Sequence, residues 1–131
     1  MNTTSAAELP PATKLAVDRT RLAHERTLMA WVRTAMSLIS FGFTIYKFFQ
    51  YLRERQPVDA DGGLIGPRGF ALIMIGIGLT ALILATAEHR RNMEVLRTEY
   101  GYLVPYSLAT LVAGLIGVLG VLGLLAVGFR Y

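Results

Sequence analysis

The chain has 131 residues, enough for one domain, and 53% of them are hydrophobic, which is high for a soluble domain of this size. It contains no cysteine, which excludes disulfides, thiolate metal sites and thiol catalysis. The net charge is +4, and its meaning lies in where the 13 lysines and arginines fall relative to three apolar blocks.

Residues 1–12, MNTTSAAELPPA, lack a basic start followed by an apolar core, so they read as a flexible tail rather than a cleavable signal peptide. The membrane domain is then 13–131. Residues 13–27 carry Leu15, Leu22 and Met29 at seven-residue spacing, opposed by charges, and read as a short amphipathic interfacial helix leading into the first span. That span covers 28–50 and ends at KFFQYLRERQ, where Tyr46, Phe48, Phe49 and Tyr51 resemble an aromatic belt. PVDADGGLIGPRG supplies the residues that break helices and makes a short loop. The second span, 69–87, runs into EHRRNMEVLRTEY, whose opposite charges at three- and four-residue spacing extend the helix beyond the membrane. GYLVPY turns the chain into the third span, 103–129, which holds no charge and offers no polar face to water. Each block is close to the ~20 residues that cross ~30 Å of hydrocarbon. The fold class is therefore an all-α membrane protein with three transmembrane helices, preceded by the interfacial helix.

Basic residues divide unevenly across such a membrane. Lys14, Arg19, Arg21, Arg26, Arg33, Arg90, Arg91 and Arg97 lie on one side, and Lys47, Arg53, Arg55, Arg68 and Arg130 on the other. The positive-inside rule places the N-terminus in the cytoplasm and the C-terminus outside.

Projected at 100° per residue, Arg19, Arg26, Ser37, Ser40, Thr44 and Lys47 all fall within about 40° of Arg33. Arginine at the centre of a span costs about 2.5–3.5 kcal/mol on a translocon scale, and Arg33 taken alone could snorkel to its headgroup layer. Snorkelling does not account for Ser37, Ser40 and Thr44, which carry the same face deeper. One three-helix chain has too little wall to enclose a pathway, so the polar face implies self-association. Gly114, Gly117, Gly120 and Gly123 in the third span recur every third residue, and small residues let helices approach closely in lipid, within one chain or between chains.

The chemistry of this site is cationic. The stripe, with Arg90 and the supporting residues Arg21, Arg91 and Arg97, forms a basic mouth suited to phosphate oxygens. The competing use is topology and anchoring on anionic lipid. Glu25, between Arg21 and Arg26, orients arginines. His24 and His89 are separated by two spans and lack partner carboxylates, so they do not read as a metal pair. No phosphate loop, nucleophile elbow or HExxH pattern is present. No catalytic residue, cofactor, metal or nucleic-acid partner is expected.

The stretch LAHERTLMAWVRT resembles the YidH-like proteins, small three-span membrane proteins of bacteria, through Leu22, Ala23, Glu25, Arg26, Thr27, Ala30, Trp31, Arg33 and Thr34, with Phe41 and Gly42 beyond it. His24 stands where the family usually has asparagine. The same domain looks like the membrane subunit of the vacuolar transporter chaperone, the polyphosphate polymerase complex. That resemblance implies a ring whose first helices line a basic channel for polyphosphate, with Arg19, Arg26 and Arg90 at the matching basic positions, while the eukaryotic subunit looks uncharged at the position of Arg33. The expectation is a homo-oligomeric ring in the bacterial cytoplasmic membrane, with lipid and phosphate or polyphosphate as partners. The alternative is a non-conducting assembly or chaperone subunit whose basic face binds anionic lipid or a partner protein.

Overall fold

The computed structural model describes residues 9–55, 66–101 and 107–129. Residues 1–8, 56–65, 102–106 and 130–131, on which part of the expected tail, loop and turn and Arg130 fall, lie outside the described residues. Three helices follow one another: α1 (Pro11–Arg55), α2 (Pro67–Tyr100) and α3 (Leu108–Gly128). All three are long and apolar enough to cross a membrane by length and composition, which marks a multi-pass membrane protein. Along α3 the large residues Leu108, Leu111, Leu115, Val118, Leu119 and Leu122 are all exposed, as a lipid-facing surface requires.

The local sequence explains where the helices start and stop. Pro67 opens α2 with its fixed φ, and Gly101 closes it in the left-handed region at φ 61°, its N–H donating to the Arg97 carbonyl at 3.0 Å. No proline or glycine occurs from Ala12 to Phe41, so nothing breaks the chain between the tail and the first span. The expected amphipathic segment is therefore continuous with the first span. Residues 13–27 are the first turns of one 45-residue rod, about 67 Å long.

Helices α1 and α2 run antiparallel and pack through small residues. A side-chain carbon on Gly42 would sit 3.0 Å from the Ala71 carbonyl oxygen, and one on Gly78 would sit 3.1 Å from that of Ala35. Ala35, Ala71 and Ile75 are fully buried at this crossing. Helix α3 lies against both, with Ala109 and Ala113 joining Leu28, Val32, Ala35, Leu82 and Ala85 in one core. Its closest approach is at Gly120, where an added carbon would lie 2.6 Å from Leu79 Cδ2 and 2.9 Å from Ile39 Cδ1. Since α3 begins level with Leu28 and Ala85, the α1 turns before Leu28 and the α2 turns after Ala85 extend past it as a two-helix arm. Val17 and Leu96 are buried within that arm.

The seam of α1 corrects one sequence expectation. Val17, Leu28, Val32, Ala35 and Gly42 form the buried face, and a projection places Val17, Leu28, Ala35 and Gly42 about 140–180° from Arg33. Leu15, Leu22 and Met29 are exposed and fall within about 40° of Arg33. They share the side of the arginines rather than opposing it.

Candidate functional site

The stripe is a continuous exposed surface. Arg19, Arg26, Arg33, Ser37, Ser40, Thr44 and Lys47 are all exposed, on the side of α1 opposite its buried seam. One chain therefore does not enclose them. Five of the seven, Arg19, Arg26, Arg33, Ser40 and Lys47, stand seven residues apart and so drift by only about 20° each step along a straight helix. Leu15, Leu22 and Met29 interleave with the arginines, giving this face apolar stems beside cationic heads.

Two members of the stripe are satisfied within their own helix. Ser37 Oγ donates to the Arg33 carbonyl at 2.9 Å, so this hydroxyl offers lone pairs outward and does not by itself demand water. Lys47 Nζ donates to Gln50 Oε1 at 3.4 Å and lies 5.8 Å from the centroid of the Phe43 ring. It also borders an open groove of about 350 Å³ with Phe43, Tyr46, Leu125, Ala126 and Phe129. Arg90, Arg91 and Arg97 are exposed on α2 at the same end of the bundle as Arg19 and Arg26.

The remaining predicted residues divide differently. Arg21 is half-buried, on the α1 seam, and its Nε is buried without a hydrogen-bond partner. Glu25 is also half-buried, and its charge acts on His89 across the seam. Of the four spaced glycines, Gly120 makes a tight contact and Gly117 an ordinary one, 3.8 Å from Leu82 Cδ2. Gly114 and Gly123 face open space.

The structure also builds a polar cluster that the sequence concealed. Antiparallel pairing brings His24 and His89 to one small cavity of about 30 Å³, lined as well by Thr27, Leu28, Trp31, Ala85, Glu88 and Asn92. Asn92 Nδ2 and His24 Nδ1 are 3.3 Å apart. His89 is only 4% exposed, and neither ring nitrogen has a hydrogen-bond partner. It lies just beyond the apolar stretch of α2. Burial pushes its pKa below the ordinary value, a shift opposed by the Glu25 carboxylate, reinforced by His24 and opposed again by the His24 backbone. Among the described residues no three His, Cys, Asp or Glu side chains converge as a metal site would need.

A family model described as a domain of unknown function, DUF202, matches residues 19–94, more than half of the chain. The chain belongs to this family. The match agrees with the resemblance of LAHERTLMAWVRT to the YidH-like proteins. The DUF202 segment begins at Arg19 and ends at Glu94, so it holds the whole basic stripe, the glycine crossing of α1 and α2 and the His24–His89 cavity, while α3 lies outside it. No curated protein and no solved structure matches the chain.

Proposed function

We propose that this protein is a homo-oligomeric anion pathway of the bacterial cytoplasmic membrane, with its N-terminus in the cytoplasm and α1 facing a shared axis. The observation that carries the reading is the position of Arg19, Arg26 and Arg33 on an exposed face directly opposite the seam that α1 uses inside its own chain. A second copy can cover that face without disturbing the first chain's packing. Guanidinium groups converging there offer fork-shaped donors for phosphate oxygens, and an anion in turn offsets the repulsion between them. Gly114 and Gly123, unfilled within the chain, leave α3 free to meet a neighbouring helix closely. The resemblance of the first helix to the membrane subunit of the vacuolar transporter chaperone makes phosphate and polyphosphate the anions to try first. Chemistry on that anion would belong to another protein.

The second reading is a non-conducting assembly or chaperone subunit whose basic face holds anionic lipid or a partner protein. It is favoured by Leu15, Leu22 and Met29, which give the basic face apolar area that a water-filled passage does not use.

Flux separates the two. Purified protein in liposomes passes phosphate or short polyphosphate under the first reading, and the double substitution Arg26→Gln with Arg33→Gln lowers that flux at least tenfold while leaving the oligomer intact. An intact wild-type oligomer that passes no anion overturns the pathway and leaves the lipid or partner role.

A further inference from the structure

The α1–α2 arm extends beyond α3 as a pair of helices. Val17 and Leu96 are buried in it, His24 meets Asn92, and the cavity beside His89 lies at its root. A cavity of about 30 Å³ has room for a single water molecule. His89 is thus a titratable ring buried between two helices, with neither nitrogen in a hydrogen bond of full geometry, at the place where the arm leaves the three-helix core.

We propose that the cavity between His24 and His89 is a proton-binding site that controls closure of the α1–α2 arm: with His89 neutral the helices close on it, and proton uptake separates them. An imidazolium needs two acceptors for its two N–H groups, and the cavity supplies at most one, from the His24 backbone, with no hydrogen bond of full geometry in place. Burying an unpaired charge costs far more than burying the neutral ring, so the proton is accepted where water can reach it.

The charged and titratable neighbours from each helix set the direction. From α1 come Arg21, His24 and Glu25, and from α2 come Glu88 and Arg90, while α3 has no titratable residue among 107–129. His24 opposes a charge on His89. Glu25 attracts one and Glu88 lines the cavity wall, but Glu88 is exposed and screened by solvent. Burial is the first cause of the depressed pKa of His89, with Glu25 working against it and His24 adding to it.

Because the chain has no native cysteine, a spin-label pair at Thr20→Cys on α1 and Thr98→Cys on α2 can report the arm alone. Labelled protein is diluted with unlabelled protein in lipid nanodiscs, and the distance is read by pulsed electron resonance from pH 8 to pH 5. The wild type is expected to show a short, narrow distance at pH 8 and a longer, broader one as pH falls below about 6.5. His89→Phe, which fills the site and never titrates, should hold the short distance throughout, and His89→Gln should remove the pH response if the phenylalanine variant misfolds. A distance that does not change with pH overturns the proposal. So does a full response surviving in both variants, or a His89 that titrates by NMR at or above the ordinary histidine value.

Discussion

Arg68 Nε donates to the carbonyl oxygen of Val127 at 3.1 Å, so the first turn of α2 closes the last turn of α3. The same side chain reaches Gly128, with Nη2 2.6 Å from its carbonyl oxygen. A helix ends with four carbonyls lacking partners, and a cation there also meets the negative end of the helix dipole. Arg68→Ala is expected to lower stability by about 1–2 kcal/mol. Arg68→Lys should recover only part of this, since an ammonium does not reproduce the planar fork. Thermal unfolding in detergent measures both.

The crossing at Gly42 and Gly78 gives a second expectation. Replacing Gly78 with leucine forces a side chain against Ala35 and Ile39, and overpacking of this kind costs about 1–3 kcal/mol. Alanine at Gly114 or Gly123 places its side-chain carbon where no neighbouring helix atom lies within 4 Å. Those two variants should unfold at the wild-type temperature as protomers, with any loss confined to the oligomer measured by native mass spectrometry.

Stability should also follow pH through His89. Its folded pKa lies below the ordinary value, so the unfolded chain takes up a proton before the folded one does. The stabilising contribution of neutral His89 is complete above about pH 6.5 and is lost as pH falls from there through the depressed folded value. Unfolding temperature measured at intervals from pH 8 to pH 5 should fall in the wild type. The decline should be smaller in His89→Phe.

The interleaved leucines distinguish a pathway wall from a docking face. Leu22→Asn with Met29→Asn removes apolar area beside Arg26 without changing charge. If the face binds anionic lipid, co-purifying anionic lipid should drop severalfold. If copies meet there, oligomers should dissociate at lower detergent concentration while the monomer keeps its helicity.

The three spans were legible from sequence because an apolar run of membrane length has few other uses, and α3 shows this most plainly with its uncharged stretch. The stripe was legible too, since heptad spacing of Arg19, Arg26 and Arg33 fixes one face whatever surrounds the helix. The α1 seam was not. Arg21 and His24 occupy its positions between Val17 and Leu28, and polar residues there hide an apolar period. Gly42 and Gly78 were not legible as packing residues because neither belongs to a periodic set, Gly42 being alone in α1 and Gly78 sharing α2 with Gly69 and Gly76, whereas in the periodic set of α3 a carbon added at Gly114 or Gly123 meets nothing within 4 Å. Separation along the chain misled the reading of His24 and His89, because an antiparallel pair of long helices brings together residues 65 positions apart.

Helix α1 carries the buried ring contact on one side and the arginines on the other, with no glycine or proline from Ala12 to Phe41 to absorb a twist. If separation of the arm also rotates α1 about its axis, a rod without a break would carry that rotation along its whole length. A turn of about 20° at His24 sweeps each surface position through an arc of roughly 2 Å, and Arg19, Arg26, Arg33 and Ser40 turn together. A single proton taken up at the arm would thus be felt as torque along the whole cationic face, with no messenger other than the stiffness of the rod.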